Sequence, residues 1–322
     1  MTAAPFGPVA EDLARVEELL HKSISEDGEA MSAPMSELFL AGGKRLRPAL
    51  VLLAGGLGRY DPEPLAAAAI AVELVHAATL VHDDVIDHAQ VRRGRPTVAA
   101  TLGDSPAIVV GDYYFAKAYG HASLTRQPAA VHELASAVMR ICLGELRQQR
   151  DRYRYRPTRA EYLARIEAKT ATLLASSCWI GGLLAGLGER ELAALRHYGT
   201  SLGLAFQIAD DVLDYVADQA ILGKPTGQDL LEGHATLPLM LALEEAGVTA
   251  TIGDLLADGR RLERAEVEQV VARVRGSNGP PAALAEADRL AAAARDRLES
   301  LPAGPSRDAL AELTEYVVRR EL

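Results

Sequence analysis

Two five-residue segments carry the most distinctive chemistry in this sequence. Asp83-Asp84-Val85-Ile86-Asp87 and Asp210-Asp211-Val212-Leu213-Asp214 both read D-D-x-x-D. Each follows an apolar stretch, Leu80-Val81-His82 before the first and Phe206-Gln207-Ile208-Ala209 before the second. Neither stretch holds a Gly or Pro, so both segments read as helix. At about 100° per residue, the first and fifth positions fall about 40° apart on one face. Each helix then offers two aligned carboxylates with a third close by. A single short acidic run is ordinarily a solvated face. Acids turned inward must be paired or must hold a metal, because an unpaired buried charge is costly. Two clusters of equal spacing in similar apolar settings favour the inward reading. Facing each other, they make an oxygen-lined cage suited to Mg²⁺, which takes carboxylates, waters and phosphate oxygens.

Carboxylates that hold Mg²⁺ make most sense if a phosphate completes the shell, and the matching cations are present. Gly42-Gly43-Lys44-Arg45-Leu46-Arg47-Pro48 puts three cations in four positions at a loop-to-helix junction, where helix-start amides also attract anions. Arg92-Arg93-Gly94-Arg95 begins five residues after Asp87, so these guanidiniums can fold over the first cluster and grip phosphate in bidentate fashion. Taken alone, each basic run reads as a solvated loop; the neighbouring acids reverse that. His76 lies about two turns before Asp83 on the same face. Lys169 sits in an apolar run with Thr170, Ala171, Leu173 and Leu174, which implies an inward partner for its charge. Gln207 is on a helix expected to approach the same cavity, and Lys224 follows the second cluster closely enough to reach a phosphate there.

These groups must be positioned by helices. Apolar periodicity predicts helices near 9–26, 32–41, 46–58, 62–88, 104–123, 128–151, 159–186 and 189–217. A Gly-rich loop follows over 223–233, then shorter helices over 236–320. No segment reads as a strand, no linker divides the chain, and no fixed-period repeat exists beyond the two clusters. The expectation is one all-α helical bundle over residues 1–322, with the clusters facing across a central cavity. Composition agrees: the 322 residues are 49% apolar, 24% charged and only 5% aromatic, with Ala and Leu dominant. A net charge of −10 argues against nucleic acid or anionic lipid as a general partner. No apolar run reads as long enough to span a bilayer, and the start lacks the pattern of a secretory leader. Cys142 and Cys178 read as reduced core residues of a cytoplasmic protein.

The ordered blocks GGKRLRP (42–48), ELVHAATLVHDDVIDHAQVRRGRPT (73–97), VGD (110–112), GE (144–145), KT (169–170), FQIADDVLD (206–214), GKPTGQD (223–229) and TLP (236–238) resemble the trans-isoprenyl diphosphate synthases, the polyprenyl synthetase family. The resemblance spans about residues 40–240. It implies an enzyme that condenses isopentenyl diphosphate with an allylic diphosphate and releases diphosphate, with about three Mg²⁺ per site and a homodimeric assembly. Carried onto this sequence, Asp83, Asp87 and Asp210 would be the principal metal ligands, supported by Asp84, Asp211 and Asp214. Lys44, Arg47, His76 and Arg93 would hold isopentenyl diphosphate. Arg92, Lys169, Gln207 and Lys224 would hold the allylic diphosphate, with Thr170 beside it. The two-residue spacing in the first cluster resembles long-chain and some geranylgeranyl members. Ala78 and Thr79, where bulky residues in the family stop growth early, are small, which implies products of C20 or longer. Tyr113, Tyr114, Phe115, Val138, Met139 or Ile141 could supply a lower stop.

One position departs from the family pattern: His234 stands where a second Lys is usual. That contact is weakened, or His234 binds protonated, or Lys224 suffices alone. Three other classes compete. A di-iron bundle would use Glu18-Leu19-Leu20-His21 and Glu73-Leu74-Val75-His76, but leaves the acidic clusters unexplained. A terpene cyclase would not need the Lys44, Arg47 and Arg93 group for a second diphosphate. A non-catalytic partner subunit would be expected to have lost its acidic clusters.

Overall fold

The computed structural model describes residues 5–40, 45–92, 94–216, 226–257 and 259–319. It is almost wholly helical. Helices α1 (Ala10–Ser25), α2 (Glu29–Leu40) and α3 (Leu46–Gly55) lead into the long α4 (Pro62–Ile86). Then come α5 (Val98–Leu102), α6 (Asp104–Leu124), α7 (Pro128–Arg150) and α8 (Arg159–Ile166). A π-helical turn, Glu167–Ala171, joins α8 to α9 (Thr172–Leu184), and α10 (Glu189–Val216) follows. The last third holds α11 (Gln228–Leu231), α12 (Leu237–Ala242), α13 (Ala246–Ala257), α14 (Arg264–Arg275), α15 (Gly279–Leu298) and α16 (Pro305–Arg319).

Helix α4 is the central post. Asp61 caps it by accepting from the Glu63 amide, and Pro62 in the first turn presets the backbone. From Leu65 to Val81 nearly every side chain is buried. Small residues let α6 lie close along α4, and α10 packs in the same way along α15. The main core gathers α1, α3, α4, α9 and α10. A second cluster, around Tyr155, Tyr215, Leu230, Ile252 and Val267, braces the segment that follows α10.

The structure departs from the sequence expectations at several points. The helix expected over 159–186 is interrupted by the π turn, whose extra residue per turn redirects side chains and is favoured at functional sites. Short helices α5 and α11 were not expected, and α15 is 20 residues long. Val91–Arg92 pairs antiparallel with Arg95–Pro96, a two-residue ladder in place of plain loop. Helix α4 is long and apolar enough to cross a membrane by length and composition, contrary to the expectation that no run would be. Glu73 interrupts the run in sequence, yet the helix as a whole remains apolar; 78% of its most apolar window is buried inside the fold. Cys178 is buried as expected, but Cys142 is exposed, because it lies on the outward stripe of α7 with Met139, Leu143 and Leu146.

Candidate active site

Both acidic clusters fall in the last turns of their helices, Asp83 and Asp84 near the end of α4, and Asp210, Asp211 and Asp214 near the end of α10. Asp87 is the C-cap residue of α4. A helix C-terminus already carries partial negative charge, so carboxylates there are disfavoured without a cation. The two ends together form a strongly cation-seeking region.

The two clusters are joined through consecutive residues of the π turn. Lys169 Nζ lies 3.4 Å from Asp83 Oδ2 and donates to Glu145 Oε2 of α7 at 2.9 Å. Next in sequence, Thr170 Oγ1 donates to Gln207 Oε1 at 2.7 Å, and Gln207 Nε2 donates to Asp211 Oδ1 at 2.8 Å. Two glycines permit this approach. A Cβ on Gly203 of α10 would lie 2.5 Å from Ala171 Cα, and one on Gly144 of α7 would lie 2.7 Å from Ala168 Cβ. Larger residues would push α7 and α10 off the turn.

Not every acid faces the cavity in the same way. Asp84 is only 1% exposed and accepts from Arg92, whose Nε lies 2.8 Å and Nη2 2.7 Å from Oδ1. The Val91–Arg92 ladder, with Thr97 Oγ1 donating to the Ala89 carbonyl, folds Arg92 back over α4. Asp211, 3% exposed, accepts from Tyr162 Oη at 2.6 Å as well as from Gln207. Asp214 accepts from the backbone amides of Gln228 (3.2 Å) and Asp229 (3.1 Å), which anchors the start of α11. Asp84, Asp211 and Asp214 are thus buried against their partners, while Asp83, which also meets Lys169, and Asp87 and Asp210 keep part of their surface open.

The electrostatics follow from burial. Burial pushes the Asp83 carboxyl up, against the pull of Lys169. Asp84 is raised by burial too, opposed by its Arg92 bond. Asp87 is pushed up to about 6, chiefly by burial and then by Glu232. Its Oδ1 is buried and has no hydrogen-bond partner among the described residues. Asp211 is pushed up to about 7 by burial, with the Tyr162 and Gln207 bonds opposing. For Lys169, burial alone would lower the ammonium, but Asp83 and Glu145 outweigh it and carry it to about 12. Glu145 stays low despite burial because Lys169 holds it ionised.

These residues fit a divalent cation. The unpartnered Asp87 oxygen and the mutual repulsion of buried carboxylates leave a charge deficit that a hard, oxygen-loving ion would fill. Among the described residues no three of His, Cys, Asp and Glu converge as a ready-made metal centre.

Of the basic groups, Arg92 folds over the first cluster as the sequence placed it, and Lys169 finds its expected inward partner in Asp83 and Glu145. Arg45 and Arg95 do not join them. Arg45 donates to Glu17 (2.9 Å) and Glu73 (3.1 Å) and stacks on Phe39, and Arg95 pairs with Glu37 of α2. Carboxylates distant in sequence claim both. The Arg45–Glu73 bond also leaves the Glu73-x-x-His76 motif without the free carboxylate a di-iron centre needs. Arg47 and His76 are partly buried, on α3 and α4. Lys44, Arg93 and Lys224 lie outside the described residues. Thr79 is partly open, whereas Ala78 is closed at 0% exposure. Glu145, which holds Lys169, was not singled out from the sequence, although the Gly-Glu block around it was visible. His234 is buried among cations, and burial first, then Arg165, Lys169 and Arg152, push its imidazole down to about 3. The protonated form entertained for it is thereby disfavoured.

A helical shell holding two acidic helix ends against one lysine-bearing turn is the framework of an isoprenoid-type synthase, and comparison with known proteins bears this out. Residues 28–274 match the sequence model of the polyprenyl synthetase family. The chain is 39% identical over 318 residues to heptaprenyl diphosphate synthase component 2 of Geobacillus stearothermophilus, covering 99% of this chain and 98% of that protein. It is 36% identical over 309 residues to nonaprenyl diphosphate synthase of Mycobacterium tuberculosis, covering 96% and 92%. The fold matches the crystal structure of polyprenyl synthase from Caulobacter crescentus complexed with calcium and isoprenyl diphosphate, with a TM-score of 0.93 and 36% identity over 100% and 98% of the two chains. The chain belongs to the polyprenyl synthetase family.

Proposed function

We propose that this prenyltransferase lengthens an allylic diphosphate by isopentenyl units to an all-trans product of C20 or longer, using Mg²⁺. The contact of Lys169 with Asp83 and the bond of Thr170 to Gln207, which in turn donates to Asp211, carry the reading: one turn ties together the two halves of a diphosphate cradle. The polyprenyl products named for its relatives support the length, with Thr79 small and partly open beside the cluster. A shorter, farnesyl- or geranylgeranyl-length product is the alternative.

Asp83, Asp87 and Asp210 would hold the metal, which when bound would neutralise charge on the departing diphosphate. Lys169 and Arg92 add fixed positive charge at the same place, the term that usually dominates such catalysis. Asp84 and Glu145 orient these two cations. Thr170 and Gln207 present polar atoms between the clusters, Lys224 would reach the same diphosphate, and Asp211 and Asp214 hold the second helix end in register. Isopentenyl diphosphate would be held by Lys44, Arg47, His76 and Arg93, with its alkene directed at the allylic carbon. Loss of a proton, taken up by the departing diphosphate, completes each cycle without a protein nucleophile. The apolar faces of α4 and its neighbours exclude water that would quench the allylic cation left when the diphosphate departs.

The assembly in this reading is a homodimer. An exposed apolar stripe on α7 (Met139, Cys142, Leu143, Leu146) and the exposed Ile108 and Val109 of α6, a helix that packs against α7, support it. The decisive assay incubates the purified chain with Mg²⁺, isopentenyl diphosphate and allylic starters of increasing length, and measures product length and sedimentation mass. Consumption of an allylic diphosphate with no need for isopentenyl diphosphate would refute chain elongation in favour of cyclisation. No turnover by the chain alone would point to a required second subunit.

A further inference from the structure

Two residues interrupt otherwise closed helices. Every residue of α3 is buried except Arg47, and from Leu65 to Ala78 every residue of α4 is buried except His76. The two helices pack against each other. Rotating α3 by one residue position, about 100°, would carry the Arg47 charge into the core, where it is costly. The rotation of α3 therefore has to be held, and a directional contact holds it better than apolar surface alone, which is non-directional. Arg45 supplies such a contact. It is the N-cap of α3 and lies in the left-handed region at φ 47°, which a residue other than glycine keeps only where its surroundings hold it. Its carbonyl accepts from Ala49 N at 3.0 Å and so opens the helix. Its guanidinium, 11% exposed, reaches three other helices. Nε donates to Glu17 Oε1 of α1 at 2.9 Å, Nη2 to the Phe39 carbonyl of α2 at 3.3 Å, and Nη1 to Glu73 Oε1 of α4 at 3.1 Å. Glu73 is 5% exposed and lies one turn before His76. A carboxylate that deep needs its cation. Arg95, the other arginine that stands outside the site, pairs instead with Glu37 at the surface, where an ion pair fixes little.

We propose that the Arg45–Glu73 pair is a positioning device: it fixes α3 against α4 so that Arg47 and His76 open towards one isopentenyl diphosphate, while neither member of the pair touches substrate. The proposal rests on the prenyltransferase reading. The test compares Glu73→Gln and Arg45→Lys with the parent and with Arg95→Met, measuring KM for isopentenyl diphosphate and for farnesyl diphosphate, kcat and the melting temperature. Gln keeps an acceptor but drops the charge, and Lys keeps the charge but lacks the fork. Both should raise KM for isopentenyl diphosphate about tenfold and leave the other two constants within about threefold, the pattern of a lost ground-state contact. Arg95→Met should leave all three within about twofold. The double variant Arg45→Met/Glu73→Leu separates positioning from stability. Apolar side chains in place of a buried pair should return the melting temperature close to the parent's, while KM for isopentenyl diphosphate stays about tenfold high. Equal rises in both KM values, no rise in the single variants, or a double variant that recovers KM together with its melting temperature would overturn the proposal. If the parent forms no prenyl product, the reading of the site fails instead, and calorimetric titration with isopentenyl diphosphate judges the pair. The parent and Arg95→Met should then bind it alike and Glu73→Gln about tenfold more weakly; no binding by the parent, or equal binding by all three, would overturn the proposal.

Discussion

Asp87 joins function to stability in a way that one substitution can expose. Its carboxyl is pushed from 3.8 to about 6, first by burial and next by Glu232, and one of its oxygens is buried without a partner among the described residues. The sign is opposite to that of most carboxylates. The folded protein binds this proton more tightly than the unfolded chain, so stability is lost as pH rises from about 4 to 6 and the penalty stays constant above that. Two pH units correspond to about 3 kcal/mol, which partial exposure and solvent screening reduce to about 1–2 kcal/mol. Asp87→Asn keeps the shape and removes the charge. Measured without metal by urea denaturation, the Asn variant should be more stable than the parent by about 1–2 kcal/mol at pH 7.5. The gap should close as pH falls through 6 towards 4. Taking the difference between the two proteins cancels the other titrating groups. Prenyl transfer by the variant should fall at least a hundredfold, since a proposed metal ligand is lost. A variant no more stable than the parent at pH 7.5, or a gap that does not depend on pH, would refute the assignment of strain to Asp87.

Three further outcomes are expected. Lys169→Met should lower kcat by about a thousandfold, the usual scale for losing one group that stabilises developing charge; steady-state kinetics with unchanged circular dichroism checks it. Tyr162→Phe should cost about 1–3 kcal/mol in urea denaturation, because Asp211 loses a 2.6 Å bond while remaining buried. Thr79→Phe should shorten the product at little cost in stability, because Thr79 is partly open; Ala78→Phe should destabilise by about 1–3 kcal/mol through overpacking, because Ala78 is closed. Product sizing by chromatography and thermal melts of both variants decide between the two positions.

Helix periodicity and side-chain type are local properties, so the sequence alone determined the all-α architecture, the two D-D-x-x-D clusters and the return of Arg92 over the first of them, but gave Lys169 only an unnamed inward partner. Tertiary structure decided how the charges were shared out, because partners far apart in the chain compete for them. Arg45 and Arg95 look no different from Arg47 and Arg92 in sequence, yet Glu17, Glu73 and Glu37 claim the first two. Asp211 has the same local setting as Asp210, but Tyr162, 49 residues away, takes one of its oxygens. The π turn that joins the clusters sits where α7 and α10 approach it closely at Gly144 and Gly203, an approach that no periodicity records. The protonation of His234 likewise depends first on its burial and then on three cations brought to it by three different elements.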